Sequence, residues 1–186
     1  MSSGNTVTNV TAGKPNTTGA VYRAPITATI PTDPTTALSA DYVCLGFCSD
    51  DGVTNSGNME SENIKAWGGD TVLVIQTSKD DTFSFSLIEA LSVDVLKTVY
   101  GENNVTGDLT TGVSINVSNA DVEEKAYVFD MVLRGNVKKR IVIPAAKISA
   151  IEDIVYSDSA AIGYAITTDC TPDASGNTHY EYIKKP

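Results

Sequence analysis

Residues 67–101 read WGGDTVLVIQTSKDDTFSFSLIEALSVDVLKTVYG, and the fold class turns on how this stretch is divided. Val72 to Thr77 is almost continuously apolar, as expected of a strand buried on both faces. Asp80-Asp81 supplies turn chemistry, after which Phe83, Phe85 and Leu87 alternate with polar residues, so the segment reads as a β-hairpin with Val74 among its core residues. Ser92 then stands at an N-cap position, Asp94 falls in the first turn, and Val93, Leu96 and Tyr100 recur at helical spacing. Gly101 is placed to end that helix as a left-handed C-cap. One short helix over about 93–100, packed as a plug on an apolar hairpin, is the expected nucleus of the fold.

Working outward, the rest of the chain favours strands. Thr (22 residues) and Val (19) lead the composition, and both prefer pleated backbone to helix. A chain of 186 residues can bury roughly 70% of its unfolded surface, which makes a core without disulfides or metals attainable. The expected class is mainly β, a sandwich or barrel with one flanking helix. Residues 1–20 are polar and small, so they are expected to form a flexible N-terminal arm, with a single domain over 21–186.

Within that domain, Val21 to Ile30 reads as extended, with Pro25 confined to a strand end or edge. Tyr42 to Cys48 is the next strand, and Ser49 to Lys65 is polar enough to be a long loop, 49–66, of functional kind. Gly112 to Ser118 and Lys125 to Arg134 alternate cleanly, and Arg134-Gly135-Asn136 turns the second of these into Val137 to Ile143, which Pro144 is expected to end. Lys147 to Tyr156, Ile162 to Thr168 and His179 to Lys184 read as further strands, with the periodicity of Lys147 to Asp153 equally fitting a short helix.

The formal charge of −10 disfavours a surface that grips nucleic acid by neutralising phosphates. The amino terminus has no apolar stretch of signal-peptide kind, and no run is long enough to span a bilayer, which points to synthesis in the cytosol without membrane insertion. Cys44, Cys48 and Cys170 are expected to be buried free thiols: on one strand the first two would lie about 13 Å apart, too far to bridge. His179 alone supplies neither a catalytic constellation nor, with scattered cysteines, a zinc site. Asp50-Asp51-Gly52 lacks the alternate spacing of a calcium loop, Gly68-Gly69 opens no helix and so cradles no phosphate, and Glu60/Glu62 and Glu123/Glu124 sit in solvated runs. No catalytic residue, metal or cofactor is expected.

Several strings taken together carry more. Gly13-Lys14-Pro15 with Gly19 to Pro25, Leu45-Gly46-Phe47 with Ser49 to Gly52, Ile64 to Asp70, Glu89 to Gly101, Lys139 to Pro144 and the ending Thr178 to Tyr182 occur in this order. The ordered set resembles the major tail protein, or tail tube protein, of long-tailed bacteriophages infecting Gram-positive hosts. The resemblance implies a tail tube-like sandwich or barrel, made in the host cytoplasm and located in the virion tail. Homohexameric rings would stack into a hollow tube through which genomic DNA passes, transiently and without sequence preference. Other tail proteins, namely the tape measure, the tail terminator and the distal tail protein, are the implied partners. Lys14, Tyr22, Arg23, Asp50, Asp51, Glu60, Glu62 and Trp67 become candidate contacts between subunits or rings. The competing expectation is a β-sandwich module of the virion that binds a receptor or carbohydrate.

Overall fold

The computed structural model describes residues 4–119 and 121–186; the first three residues of the expected arm lie outside the described residues. Eleven strands run β1 (Lys14–Pro15), β2 (Val21–Pro25), β3 (Val43–Cys44), β4 (Cys48–Lys65), β5 (Thr71–Leu87), β6 (Val105–Asp108), β7 (Gly112–Ile115), β8 (Lys125–Val132), β9 (Lys138–Ile151), β10 (Tyr164–Cys170) and β11 (Tyr180–Lys184). The one α-helix among the described residues, α1, spans Val93–Tyr100 between β5 and β6. Nine of the strands form one antiparallel sheet in the order β3-β2-β8-β9-β10-β5-β4, with β1 beside β8 and β11 beside β9. The path ends at β3 and β4 without closing, so the fold is a sandwich and no barrel.

The sheet becomes two layers because β9 changes partners along its length. Its first half pairs with β8 and β11, and its second half, from Ala146, pairs with β10. The ladder to β8 slips between Lys125 and Tyr127, opposite Ile143 to Ala146. Pro144 sits in that slip: lacking an N–H, it has no ladder bond to lose, and a bulge there bends the strand. The expectation that Pro144 ends the strand is thus corrected: β9 runs through it.

Alternation along β8 and β5 then builds the core between the layers. Phe129 stacks on Phe83 at 5.7 Å between ring centroids and meets Phe85 edge-on at 5.1 Å, while Phe85 also meets Tyr127 at 6.1 Å. The helix covers one end of this core through Val95, Leu96 and Val99, with Val93 and Tyr100 packed at its margin. Thr98 is buried as well, and its hydroxyl donates to the Asp94 carbonyl at 2.7 Å. Ser92 holds the N-cap position without a side-chain cap bond, and Gly101 ends the helix at φ 98, ψ 145, a positive-φ conformation that favours glycine but lies outside the αL well of the expected cap.

Three further expectations give way. The long polar loop over 49–66 is the strand β4 up to its turn, and the turn expected at Asp80-Asp81 lies inside the 17-residue β5. The reversal is at Ala66 to Asp70 instead, closed by the Ala66 N–H donating to the Asp70 carbonyl at 2.8 Å, with Gly68 (φ 122) and Gly69 (φ 101) in backbone regions that side chains disfavour. Val74 is 59% exposed, so it leaves the expected core, whereas Phe83, Phe85, Leu87 and Leu96 stay in it. Tyr42 to Cys48 is two short pieces, and Cys44 is exposed; Cys48 and Cys170 are half-buried free thiols that burial pushes up to about 11 and about 12. Lys14 and Pro15, within the expected arm, pair with Val132 and Met131 of β8.

Candidate functional site

The largest departure from a closed globule is the far end of the β4–β5 hairpin. Every residue from 54 to 77 is exposed. The ladder nevertheless continues from Val53 opposite Phe85 out to Lys65 opposite Thr71, so the pair leaves the sandwich as a two-stranded ribbon. Its outer edges are open among the described residues: β10 pairs with β5 only over Thr82 to Leu87, and β4 is last in the sheet order.

The faces of the ribbon are unusual for solvent. Ile64 lies opposite Leu73 and Glu62 opposite Ile75 on one face; Asn63 lies opposite Val74 on the other. Val72, Leu73, Val74 and Ile75 are between 44% and 62% exposed, and Trp67 at the tip is 106% exposed. A lone two-stranded hairpin is marginal in water, and covering one Val, Leu or Ile side chain yields about 1.5–3 kcal/mol. The apolar run that reads in sequence as buried on both faces therefore lacks its cover within the subunit, and a surface from outside it is what this pattern fits.

A polar hub holds the root of the ribbon. Asp81 is 6% exposed and lies opposite Gly57, where the ribbon leaves the body. Its carboxylate accepts from Asn55 Nδ2 at 2.6 Å and from Thr178 Oγ1 at 2.6 Å, and it pairs with His179 Nδ1 at 2.5 Å. The His179 ring also meets Phe83 edge-on at 5.2 Å. Asn55 belongs to β4 and Thr178-His179 to the segment before β11, so one buried carboxylate ties the ribbon to the carboxy-terminal strand. Sequence reading missed the hub because an Asp-Asp pair is also turn chemistry; the clue was an acidic residue falling on the same alternation as Phe83, Phe85 and Leu87.

The expected contact residues are scattered across the molecule. Glu60, Glu62 and Trp67 are gathered on the ribbon, and exposed Asp50 and Asp51 lie where β4 is offset from β5 before the ladder begins. Lys14 is exposed on β1, and Tyr22 is half-buried on the outer face of the first layer, that of β2, β8 and the first half of β9. Arg23 is 5% exposed and its guanidinium pairs with Glu102 inside the subunit, which removes it from any exposed surface.

On that outer face, loop 26–42 lies against β2, β8 and β9 and buries Ala24, Ala126, Val128 and Val142. Beside it is an open groove of about 600 Å³ lined by Tyr22, Leu38, Met131, Lys138 and the threonines at 17, 18, 35 and 36. The buried Asp130–Arg140 pair forms part of the lining, and Arg140 Nη1 reaches up to the Asp33 and Thr36 carbonyls at 3.0 and 2.8 Å. The Asp33 carboxylate, bonded by the hydroxyls and amides of Thr36 and Thr35, is held well below the usual carboxylate range and shapes that loop.

Among the described residues no cluster of His, Cys, Asp or Glu is placed to hold a metal ion, and no helix is long and apolar enough to cross a membrane.

A family model described as "Phage tail tube protein" matches residues 3–186. No curated protein matches the sequence. Among solved structures, the cryo-EM structure of the anti-feeding prophage cap, a tube terminating cap, aligns with a TM-score of 0.45 at 9% identity. The alignment covers 84% of this chain and 95% of that one, a likeness too distant to bear on function.

Proposed function

The chain belongs to the phage tail tube protein family, and on that premise we propose that six copies close into rings that stack as the hollow tail tube, with the β4–β5 ribbon joining copies. The role is structural, that of a tail component of the virion, and not enzymatic. The observation that carries the proposal is the ribbon: bearing exposed apolar side chains of β5 on both faces, open at both edges and uncovered within the subunit. Exposed strand edges invite pairing, and insertion against neighbouring copies both satisfies those edges and makes the pairing specific.

Ring closure also suits the charge. Duplex DNA carries about one negative charge per 1.7 Å, so a tube of subunits bearing −10 each repels the genome and lets it pass without gripping it. The tape measure, terminator and distal tail proteins are the remaining partners under this reading, in a long-tailed phage of a Gram-positive host.

Replacing residues 60–78 with an Asn-Gly turn tests the ribbon, since Met59 and Lys79 face each other and a two-residue loop can join them. The shortened chain is expected to melt cooperatively, to sediment as a monomer and to give no rings or tubes by negative-stain electron microscopy, where the intact chain does. Undiminished tube formation would remove the ribbon from assembly. One observation favours the carbohydrate-binding alternative, the fully exposed Trp67 on a loop tip. Glycan-array binding by the isolated monomer, lost on Trp67→Ala, would support that module instead.

A further inference from the structure

We propose that the groove on the outer face of the first layer is the receptor for the ribbon tip of a second copy, with Trp67 as its anchor. This inference rests on the reading that copies assemble through the ribbon. The argument begins with placement. The groove is lined by Tyr22, Asp130 and Arg140, side chains that alternate with the core-facing Val21, Phe129 and Ile141, so it opens away from the layer that carries the ribbon. A projection on one layer and a recess on the outside of the other are different patches, and joining different patches of identical chains gives a head-to-tail contact that closes into a ring when the rotation permits.

Chemistry agrees with placement. Tyr22 and Leu38 offer apolar surface for a flat indole, and the threonine hydroxyls on the walls can accept from its N–H, the partner a buried Trp requires. The charges match as well. Arg140 neutralises Asp130 and Lys139 already meets Glu181 at 2.9 Å, which leaves Lys138 as the groove's net positive charge. Around and behind the tip, Glu60, Glu62 and Asp70 outnumber Lys65, a net negative charge on the exposed ribbon able to face Lys138.

The experiment uses the full chain in two single-site forms, each with the exposed Cys44 replaced by Ser. One carries Ala66→Cys beside Trp67 and the other Thr17→Cys on the groove wall. Cys48 and Cys170, with thiols pushed up to about 11 and about 12, stay protonated at neutral pH. The two chains are mixed, assembled and oxidised. The expected product is a mixed disulfide dimer, identified by mass spectrometry, that neither chain yields alone. The sole Trp of the sequence gives a second readout: its emission is expected to shift to the blue on assembly, and Leu38→Asp is expected to abolish that shift. Tubes that form without the 17–66 disulfide and with Trp67 still emitting from water would overturn the groove while leaving ribbon-driven assembly standing. If the intact chain makes no rings or tubes under any condition, the proposed function fails and this inference falls with it.

Discussion

Asp130→Ala is expected to lower the free energy of unfolding by about 3–5 kcal/mol, which in a domain stable by about 5–15 kcal/mol brings the subunit close to unfolding at body temperature. Asp130 and Arg140 face each other across β8 and β9 at 9% and 4% exposure. The carboxylate takes two parallel bonds, from Arg140 Nε at 2.6 Å and Nη2 at 2.8 Å. Removing it leaves a largely buried guanidinium without its counter-charge, and the cost is that of an uncompensated buried charge more than of a lost attraction. The damage extends to loop 33–36, because the same guanidinium holds the Asp33 and Thr36 carbonyls. Asp130→Leu combined with Arg140→Met removes both charges and is expected to recover part of the loss, the unrecovered part measuring the two carbonyl bonds. Urea unfolding followed by tryptophan-independent circular dichroism reads both variants. Equal destabilisation in the single and double variants would mean that the loop bonds, and not the buried charge, dominate.

The parts of the fold legible in the sequence are those whose signal is local. The helix is announced by Leu96 and its neighbours at helical spacing, and the β8–β9 turn by Gly135 and Asn136, which take φ 74 and φ 60, where Gly and Asn meet least strain. Tyr127 and Phe129 are the large residues on the side of β8 that faces the inter-layer core, while the smaller Ala126 and Val128 are buried on its other side under loop 26–42. Where one signal has two physical uses, the reading went astray. An Asp pair can cap a turn or serve as a buried acceptor, and only tertiary contacts from Asn55 and Thr178 decide for Asp81. Pro144 breaks ladders in general, yet a bulge lets β9 carry it.

The ribbon was illegible for a different reason. Strand periodicity is a record of one-sided burial, and residues 54–65 have no buried side within the chain, so their polar sequence reads as loop. Conversely, Val72 to Ile75 read as a doubly buried strand, and that pattern retains its meaning if neighbouring copies supply the cover. What looked like an error of burial is, on the assembly reading, a subunit seen without its partners.

Asp81 makes the ribbon's attachment sensitive to acid. Burial on its own would raise its carboxyl, but the hydrogen bonds from Thr178, His179 and Asn55 outweigh that and hold it below the ordinary carboxylate value. A carboxyl depressed by folding contributes stability that is fully present above its unfolded value, near 4, and is lost as pH falls through the folded value. The root of the ribbon is therefore expected to loosen only below about pH 4, with hydrogen exchange accelerating at 55–58 and 79–82 ahead of the β8–β9 core. At neutral pH, Asp81→Ala leaves three donors without their shared acceptor; with each bond to a charged group contributing about 1.5–3 kcal/mol, a total on the order of 3 kcal/mol is expected, since the three are not additive. Asp81→Asn keeps an acceptor oxygen without the charge, so its exchange at the root should be faster at pH 7 and flat on acidification. Should the wild type and Asp81→Asn lose protection at the same pH, another carboxylate controls the ribbon, and the tie between β4 and the segment before β11 is mechanical only.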